Sequence, residues 1–364
     1  MKKIIAMLLA LVMVLALCAC GQTAAPKTEA PAAEASPAAE AATEAEADPA
    51  DDFYLEIKFS NVFNPKEWNY KASEKLAEMI TEKTDGHITV TYYGTNELDC
   101  YADSVTQAVN GANWMGLEEP SLFADYVGDA AMVIAPMLYK STEEYNYVMD
   151  SQFVADLCAK LAEQNIHILD THYSFGFRSV CTNLDVTTPA DLNGHKLRAT
   201  SSALFAKTLE CLGATATPMG FTDCLAAIQQ GVVEGFEGST STLAGAGEPY
   251  ELVKKVALTN HLIATRWLFM PEDVWQSIPE KYQKIISESA YECGMWEQTS
   301  CDEDEIVQKE MLAEKGVTWN EVDVDAFTEA CKPVIDWIVE QYGSSYEAYD
   351  QISALVAEYR AKNA

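Results

Sequence analysis

The 364-residue chain is short of positive charge: 24 Lys and Arg stand against 56 Asp and Glu, for a formal net charge of −32. That shortage excludes a nucleic-acid partner, whose phosphates need a basic face, and disfavours anionic membrane surfaces. No G-x-x-x-x-G-K-[ST], G-x-S-x-G or H-E-x-x-H occurs, so the common phosphate-cradling, serine-hydrolase and zinc-protease constellations are missing. His167 and His172 lie five apart with neither cysteine nor suitably spaced carboxylates beside them, which argues against a metal site. No cofactor and no catalytic activity are expected. Internal repeats and β-sandwich spacing are also absent, which counts against a structural or adhesive surface protein. Of ten cysteines, none of the eight beyond residue 20 forms a C-x-x-C pair. Cys158, Cys211, Cys224, Cys293 and Cys331 fall in helical patterns as small core residues, and no disulfide is assigned.

The longest apolar run near the start, Ile4 to Leu17, has 14 residues, short of the ~20 needed to span a bilayer. With Lys2 and Lys3 before it and Cys18-Ala19-Cys20-Gly21 after it, it reads as a secretory signal over residues 1–19. Leu17-Cys18-Ala19-Cys20 resembles the bacterial lipobox. That resemblance makes Cys20 the lipid-modified mature N-terminus, an anchor on the outer face of the cell membrane. Loss of Lys2 and Lys3 leaves 22 cations against 56 acids, or −34. Residues 20–52 continue as an Ala/Pro/Glu linker with eight carboxylates and no aromatic or large aliphatic side chain. Nothing there offsets the entropy of ordering. As a flexible coil it would span roughly 30 Å, enough to hold a folded body off a membrane.

From Phe53 the pattern changes. Half the chain is apolar, so a sizeable core is available, and the length suggests two domains of ~150 residues. Leu55, Ile57 and Phe59 alternate with charges, a strand by period two, and Trp68 to Thr84 has helical spacing ended near Gly86. His87 to Tyr93 and Ala112 to Leu117 read as strands around a helix from Tyr101 to Asn110. Further on, Thr188-Pro189-Ala190-Asp191 starts a short helix. Strand His195–Ala199 follows, then a helix Ala203–Leu212 capped by Ser202 and strand Ala214–Met219. Thr222 then caps Asp223–Gln230, before strand Val232–Phe236. Long helical patterns close the chain at Pro279–Gly316, Phe327–Tyr342 and Tyr346–Ala361. This interleaving is α/β, with largely parallel strands and a ligand cleft beyond their carboxyl ends.

The stretch Gly176-Phe177-Arg178, then Thr188-Pro189-Ala190-Asp191-Leu192-Asn193-Gly194-His195-Lys196-Leu197-Arg198, resembles the "G-x-R … T-P-x-D-L-x-G-x-K-x-R" signature of the DctP-type solute receptors of TRAP transporters. Leu212-Gly213-Ala214, Pro218-Met219 and Ala227-Ile228-Gln229-Gln230-Gly231-Val232-Val233-Glu234-Gly235 continue it. Thr259-Asn260-His261 and Val274-Trp275-Gln276-Ser277-Ile278-Pro279 extend it further, so the likeness runs from about residue 55 to 340. It implies a two-lobed, periplasmic-binding-protein-like receptor with a ligand cleft between the lobes and a long helix spanning both. On this reading, 53–175 plus 264–303 make lobe I and 176–263 plus 304–364 lobe II. It also implies capture of a small organic acid and delivery to a small and a large membrane subunit, driven by an ion gradient. An ABC-type receptor for organic acids is the alternative.

The resemblance places carboxylate recognition mainly on Arg198, with Arg178 second. Physical chemistry agrees for Arg198: with Leu197 facing the core, Arg198 points to the other side of its strand, near the carboxyl end. Its planar fork matches a carboxylate better than a lysine's point charge does. Many family members carry Glu-Asn-Pro where this chain reads Glu237-Gly238-Ser239, so the ligand-contacting asparagine falls on Gly238; either Ser239 or Thr240 substitutes for it, or the site is larger there. Trp68, Tyr70 and Trp267 either stack on a ligand or fill the core. Tyr173 and Phe175 are placed on the hinge side of the pocket. Glu118 and Glu119 are expected in a solvated loop, the alternative being entry into the cleft to bind hydroxyls or an amine, and His261 as a hydrogen-bonded structural residue.

Overall fold

The architecture is seen in a computed structural model in which residues 52–363 are described. The signal segment, Cys20 and the linker up to residue 51 lie outside them. In chain order the elements are β1 (Leu55–Ser60), α1 (Trp68–Lys83), β2 (Ile88–Tyr93), α2 (Ala102–Val109), β3 (Trp114–Glu118), α3 (Asp129–Met132), α4 (Thr142–Met149) and α5 (Gln152–Ala162). Then come β4 (His167–Thr182), β5 (Lys196–Ala199), α6 (Ala203–Cys211), β6 (Thr215–Pro218), α7 (Phe221–Gln229), β7 (Gly235–Gly238) and α8 (Thr240–Ala244). The last third holds β8 (Lys255–Met270), α9 (Glu272–Ser277), α10 (Glu280–Glu314), β9 (Thr318–Asn320), α11 (Val324–Tyr342) and α12 (Tyr346–Lys362).

One sheet takes the strands in the order β2-β1-β3-β8-β4-β7-β5-β6, with β9 against β8. Its wings are parallel: β1 pairs with β2 and β3, and β5 with β6 and β7. The centre is antiparallel. There the two 16-residue strands β4 and β8 lie against each other and join the wings through β3 and β7. The expectation of largely parallel strands therefore holds for the wings and fails in the middle. Both central strands are buried over most of their length; β8 is largely apolar from Leu262 to Met270, whereas β4 carries polar side chains such as Asp170, Ser174 and Arg178 among its apolar ones. Register shifts interrupt their pairing between Ile168 and Val180. Such irregularities bend a strand, and here they lie where the wings meet.

Each wing has its own apolar packing. On the first, Leu76 and Ile80 of α1 meet Ile57 and Phe59 of β1 and Ile286 and Ala290 of α10. The turn after α1 is made by Thr84, whose hydroxyl donates to the Ile80 carbonyl at 2.8 Å, and by Asp85 and Gly86 at positive φ. On the second wing, Leu197, Leu204, Leu209 and Leu212 share a cluster with Phe327, Val334 and Ile338 of α11. Gly213 is obligatory there. Its φ is +102°, and a Cβ would stand 2.3 Å from the Pro189 carbonyl oxygen. The helix α10, 35 residues long, packs along β4. It meets α1 through Trp68, whose indole donates to Asp304 at 2.9 Å, and α8 through Thr240, whose hydroxyl donates to Glu305 at 3.0 Å.

Three local expectations are corrected. α7 starts at Phe221 behind Gly220, not at Asp223 behind Thr222, because Phe221 packs edge-on against Phe236 with ring centroids 5.6 Å apart. β7 is Gly235–Gly238, not Val232–Phe236, and Val232 is half-exposed in the connection. Ser202 precedes α6 without capping it, since its hydroxyl is drawn to that of Ser121 at 2.8 Å. All eight cysteines among the described residues are free, six of them buried.

Candidate functional site

The segments that follow the parallel strands of both wings converge on one cavity of about 170 Å³. The first wing contributes Phe63, Asn64 and Glu67 after β1, Asn96 after β2, and Tyr101 before α2. The second contributes Arg198 and Thr200 at the end of β5, Phe221 and Thr222 after β6, and Thr242 after β7. The central strands add Phe175 and Arg178 from β4 and Arg266 from β8. Strand carboxyl ends are where open α/β sheets hold ligands. Three arginines face this one.

They are not equivalent. Arg178 is clamped by Glu237: its Nε donates to one carboxylate oxygen, and its Nη2 donates to the other at 2.9 Å and to the Glu237 carbonyl at 3.1 Å. Burial pushes the Glu237 carboxyl up, but Arg178, the neighbouring imidazole of His261 and Arg198 outweigh it and hold it at about 2. Glu237 is thus ionised, and the pair is neutral. The His261 Nε2 stands 3.8 Å from the carboxylate, beyond hydrogen-bond range. Its Nδ1 shares a hydrogen with Thr259 Oγ1 at 2.8 Å, in keeping with a structural histidine.

Arg198, 3% exposed, spends its Nε on the Met219 carbonyl at 3.0 Å. Its Nη1 lies 3.9 Å from Glu237, and neither terminal nitrogen has a hydrogen-bond partner among the described residues. Its guanidinium lies 5.4 Å from the Phe221 ring centroid. Arg266, 7% exposed, gives Nη1 to the Thr265 carbonyl at 2.7 Å and leaves Nε buried without a partner. Its guanidinium is held between Phe63 and Phe175, 5.4 and 5.2 Å from the ring centroids. Burial pulls both guanidiniums down from their ordinary value, yet arginine stays charged.

Burial raises the carboxyl groups near Arg266 above the ordinary carboxylate range. Burial pushes Glu118 up to about 8, against the pull of Arg266 and the Tyr101 amide, which donates to it at 2.6 Å. Glu119 is pushed up too and is bonded by the Ser121 amide and hydroxyl. Burial also raises Glu67, to about 7. Glu118 and Glu119 are therefore buried beneath the cavity, not in a solvated loop as expected. The end of β3 and the turn after it are covered by the second wing.

Of the residues expected at the site, Arg198 and Arg178 line the cavity and Glu237 sits behind Arg178. Gly238 and Ser239 face a separate cavity, beside Ser179 and Asn260, and Ser239 caps α8 by accepting from the Thr242 amide at 3.2 Å. Trp267 is fully buried, its indole donating to the Tyr145 hydroxyl at 2.9 Å. Tyr173 is equally buried, and Trp68 is tied to α10. None of these three aromatic residues lines the cavity; Phe175 does. Arg266 escaped notice in the sequence. Its signal was a lone charge inside the apolar run from Leu262 to Met270.

A cavity between two α/β wings, lined by Arg178, Arg198 and Arg266, has the architecture of a solute-binding protein. A family model for the bacterial extracellular solute-binding proteins, family 7 (DctP), matches residues 59–342, and the chain belongs to that family. It is similar to a TRAP periplasmic solute-binding protein of Desulfovibrio salexigens crystallised with diglycerolphosphate. They share 38% identity and a TM-score of 0.83, over 85% of this chain and 99% of that one. The Fusobacterium nucleatum protein with bound sn-glycerol 3-phosphate is 31% identical, with a TM-score of 0.82, over 85% of this chain and 99% of its own. One from Actinobacillus succinogenes with bound L-galactonate is 28% identical, with a TM-score of 0.77, over 84% and 100%. Members of the family are extracytoplasmic, and no helix among the described residues is long and apolar enough to cross a membrane.

Proposed function

We propose that this chain is the receptor of a TRAP transporter that captures a small organic anion between its wings, with Arg198 as the anchor and Arg178 beside it. The observation that carries this is Arg198 itself: a buried guanidinium on the cavity wall whose two terminal nitrogens have no hydrogen-bond partner among the described residues. A buried cation in that condition is costly unless an anion completes it. In so acidic a protein, the cavity is one of the few places that can hold one. The ligands named for the three relatives are two phosphate esters and one sugar acid, and an oxyanion is what they have in common.

In this mechanism the open form admits the anion, Arg198 grips it, and closure of the wings about β4 and β8 excludes water. Lobe I is then 53–175 plus 264–303, and lobe II 176–263 plus 304–364. Closure is favoured only by the difference in the ligand's affinity for the two forms. The loaded receptor hands its anion to a small and a large membrane subunit, while a lipid on Cys20 and the acidic linker keep it near them. A thermal-shift panel of dicarboxylates, keto acids, uronates and phosphate esters tests capture, since a ligand of the native state raises the melting temperature. Uptake by cells carrying the receptor and its membrane subunits tests delivery. It is expected to survive ATP depletion and stop when the ion gradient collapses. The reverse pattern identifies an ABC partner and refutes the TRAP assignment.

A further inference from the structure

We propose that Arg266 is a third ligand-anchoring guanidinium and that the cavity is built for a doubly charged head, a phosphate monoester on a short polyol. This deepens the anion-receptor reading and rests on it. Arg178 and Glu237 cancel, which leaves Arg198 and Arg266 as two buried cations on one cavity without an ionised hydrogen-bonded partner. A singly charged carboxylate compensates one of them and leaves the other unpaired. No carboxylate among the described residues makes a hydrogen bond or ion pair to Arg266, whose one hydrogen bond goes to the Thr265 carbonyl, and burial raises Glu118, Glu119 and Glu67, which weakens what they contribute.

Donor geometry points the same way. Among the described residues, the terminal nitrogens without a hydrogen-bond partner are Nη1 of Arg178, both of Arg198, and Nη2 of Arg266, each with two N–H donors. That is more than one carboxylate's two oxygens can accept, whereas three terminal phosphate oxygens have room for them. The three guanidiniums line the same cavity of about 170 Å³, which Tyr101 also lines. One compact head can therefore meet all three, where two carboxylates at opposite ends of a chain would separate. Around them Thr200, Thr222 and Asn96 offer polar side chains to a polyol's hydroxyls.

Titration calorimetry on the mature protein decides the matter with sn-glycerol 3-phosphate, succinate and L-galactonate as probes. The wild type is expected to bind the phosphate at least about 30-fold more tightly than galactonate. Arg266→Met should erase most of that preference, weakening the phosphate by at least about 10-fold more than it weakens galactonate. Arg266→Lys keeps the charge but loses the fork, and should recover only part of it. Galactonate or succinate binding as tightly as the phosphate overturns the proposal, whether or not the variants fold. So does an Arg266→Met protein with unchanged phosphate affinity. Arg198→Ala separates the two claims. If it loses affinity while Arg266→Met does not, the anion receptor stands and the third anchor falls. If the wild type binds none of the three probes, the phosphate proposal falls, and the wider panel of anions decides the receptor reading.

Discussion

Arg178 and Arg198 belong to the same sequence signature and look alike in it, yet their surroundings give them different work. The carboxylate of Glu237 occupies two nitrogens of Arg178 and makes it a fixed, neutralised wall. Arg198 has no hydrogen-bond partner for its two terminal nitrogens among the described residues. Replacing Arg198 with alanine should weaken anion binding by about 2–5 kcal/mol, since the ligand's charge is then buried without its partner. Lysine should restore little, because a point charge does not reproduce two parallel N–H donors. Calorimetry showing near-normal affinity for Arg198→Ala would rule out this anchor. Signature matching found these two residues. It did not separate their roles, because the clamp is supplied from 59 positions away, on β7.

At the scale of elements, α10 is fastened to the central strands by a buried acid. Glu297 accepts from the Ser174 amide at 3.0 Å, the Asn69 amide at 2.8 Å and the Cys301 thiol at 3.1 Å, so β4, α1 and α10 meet on one carboxyl. Burial pushes it up to about 8, against the Cys301 and Ser174 hydrogen bonds; nearby Asp302 adds to the rise and Arg266 opposes it. The folded protein therefore holds a proton there that the unfolded chain releases near 4.5. Stability from this group is complete below about 4.5, falls as pH rises toward about 8, and levels off above. Glu297→Gln should flatten the decline in denaturant midpoint between pH 5 and pH 8, with Glu118 and Glu67 retaining part of the slope. A variant whose midpoint falls as steeply as the wild type's would refute the assignment. The helix itself was legible from its period. Its fastening was not, since a lone glutamate in so acidic a helix looks like one more solvated charge.

For the whole molecule, the consequence is motion. Both wings contribute cavity walls, and β4 and β8 are the strands that serve both, so capture is expected to draw the wings together about those strands. Small-angle scattering should record a smaller radius of gyration on adding a bound anion, and no change for Arg198→Ala at the same ligand concentration. A ligand that binds tightly without compaction would remove hinge closure from the mechanism. The net charge of −32 keeps the protein soluble and repels like bodies. It also makes the three cavity arginines stand out from everything around them.

Local periodicity and turn chemistry determined most elements of the wings. Alternation marks β1 and β2, the Thr188–Asp191 start and Gly213 set the turns around β5, and spaced apolar residues mark α10 to α12. These are short-range preferences carried by neighbouring residues. Tertiary structure alone decided the antiparallel centre, the neutral Arg178–Glu237 pair, the burial of Glu118 and Glu119, and the place of Arg266 on the cavity wall. The reason is physical: whether a charge is paired, desolvated or free depends on groups that arrive from distant segments. A strand buried on both faces, likewise, shows no period until its neighbours are in place.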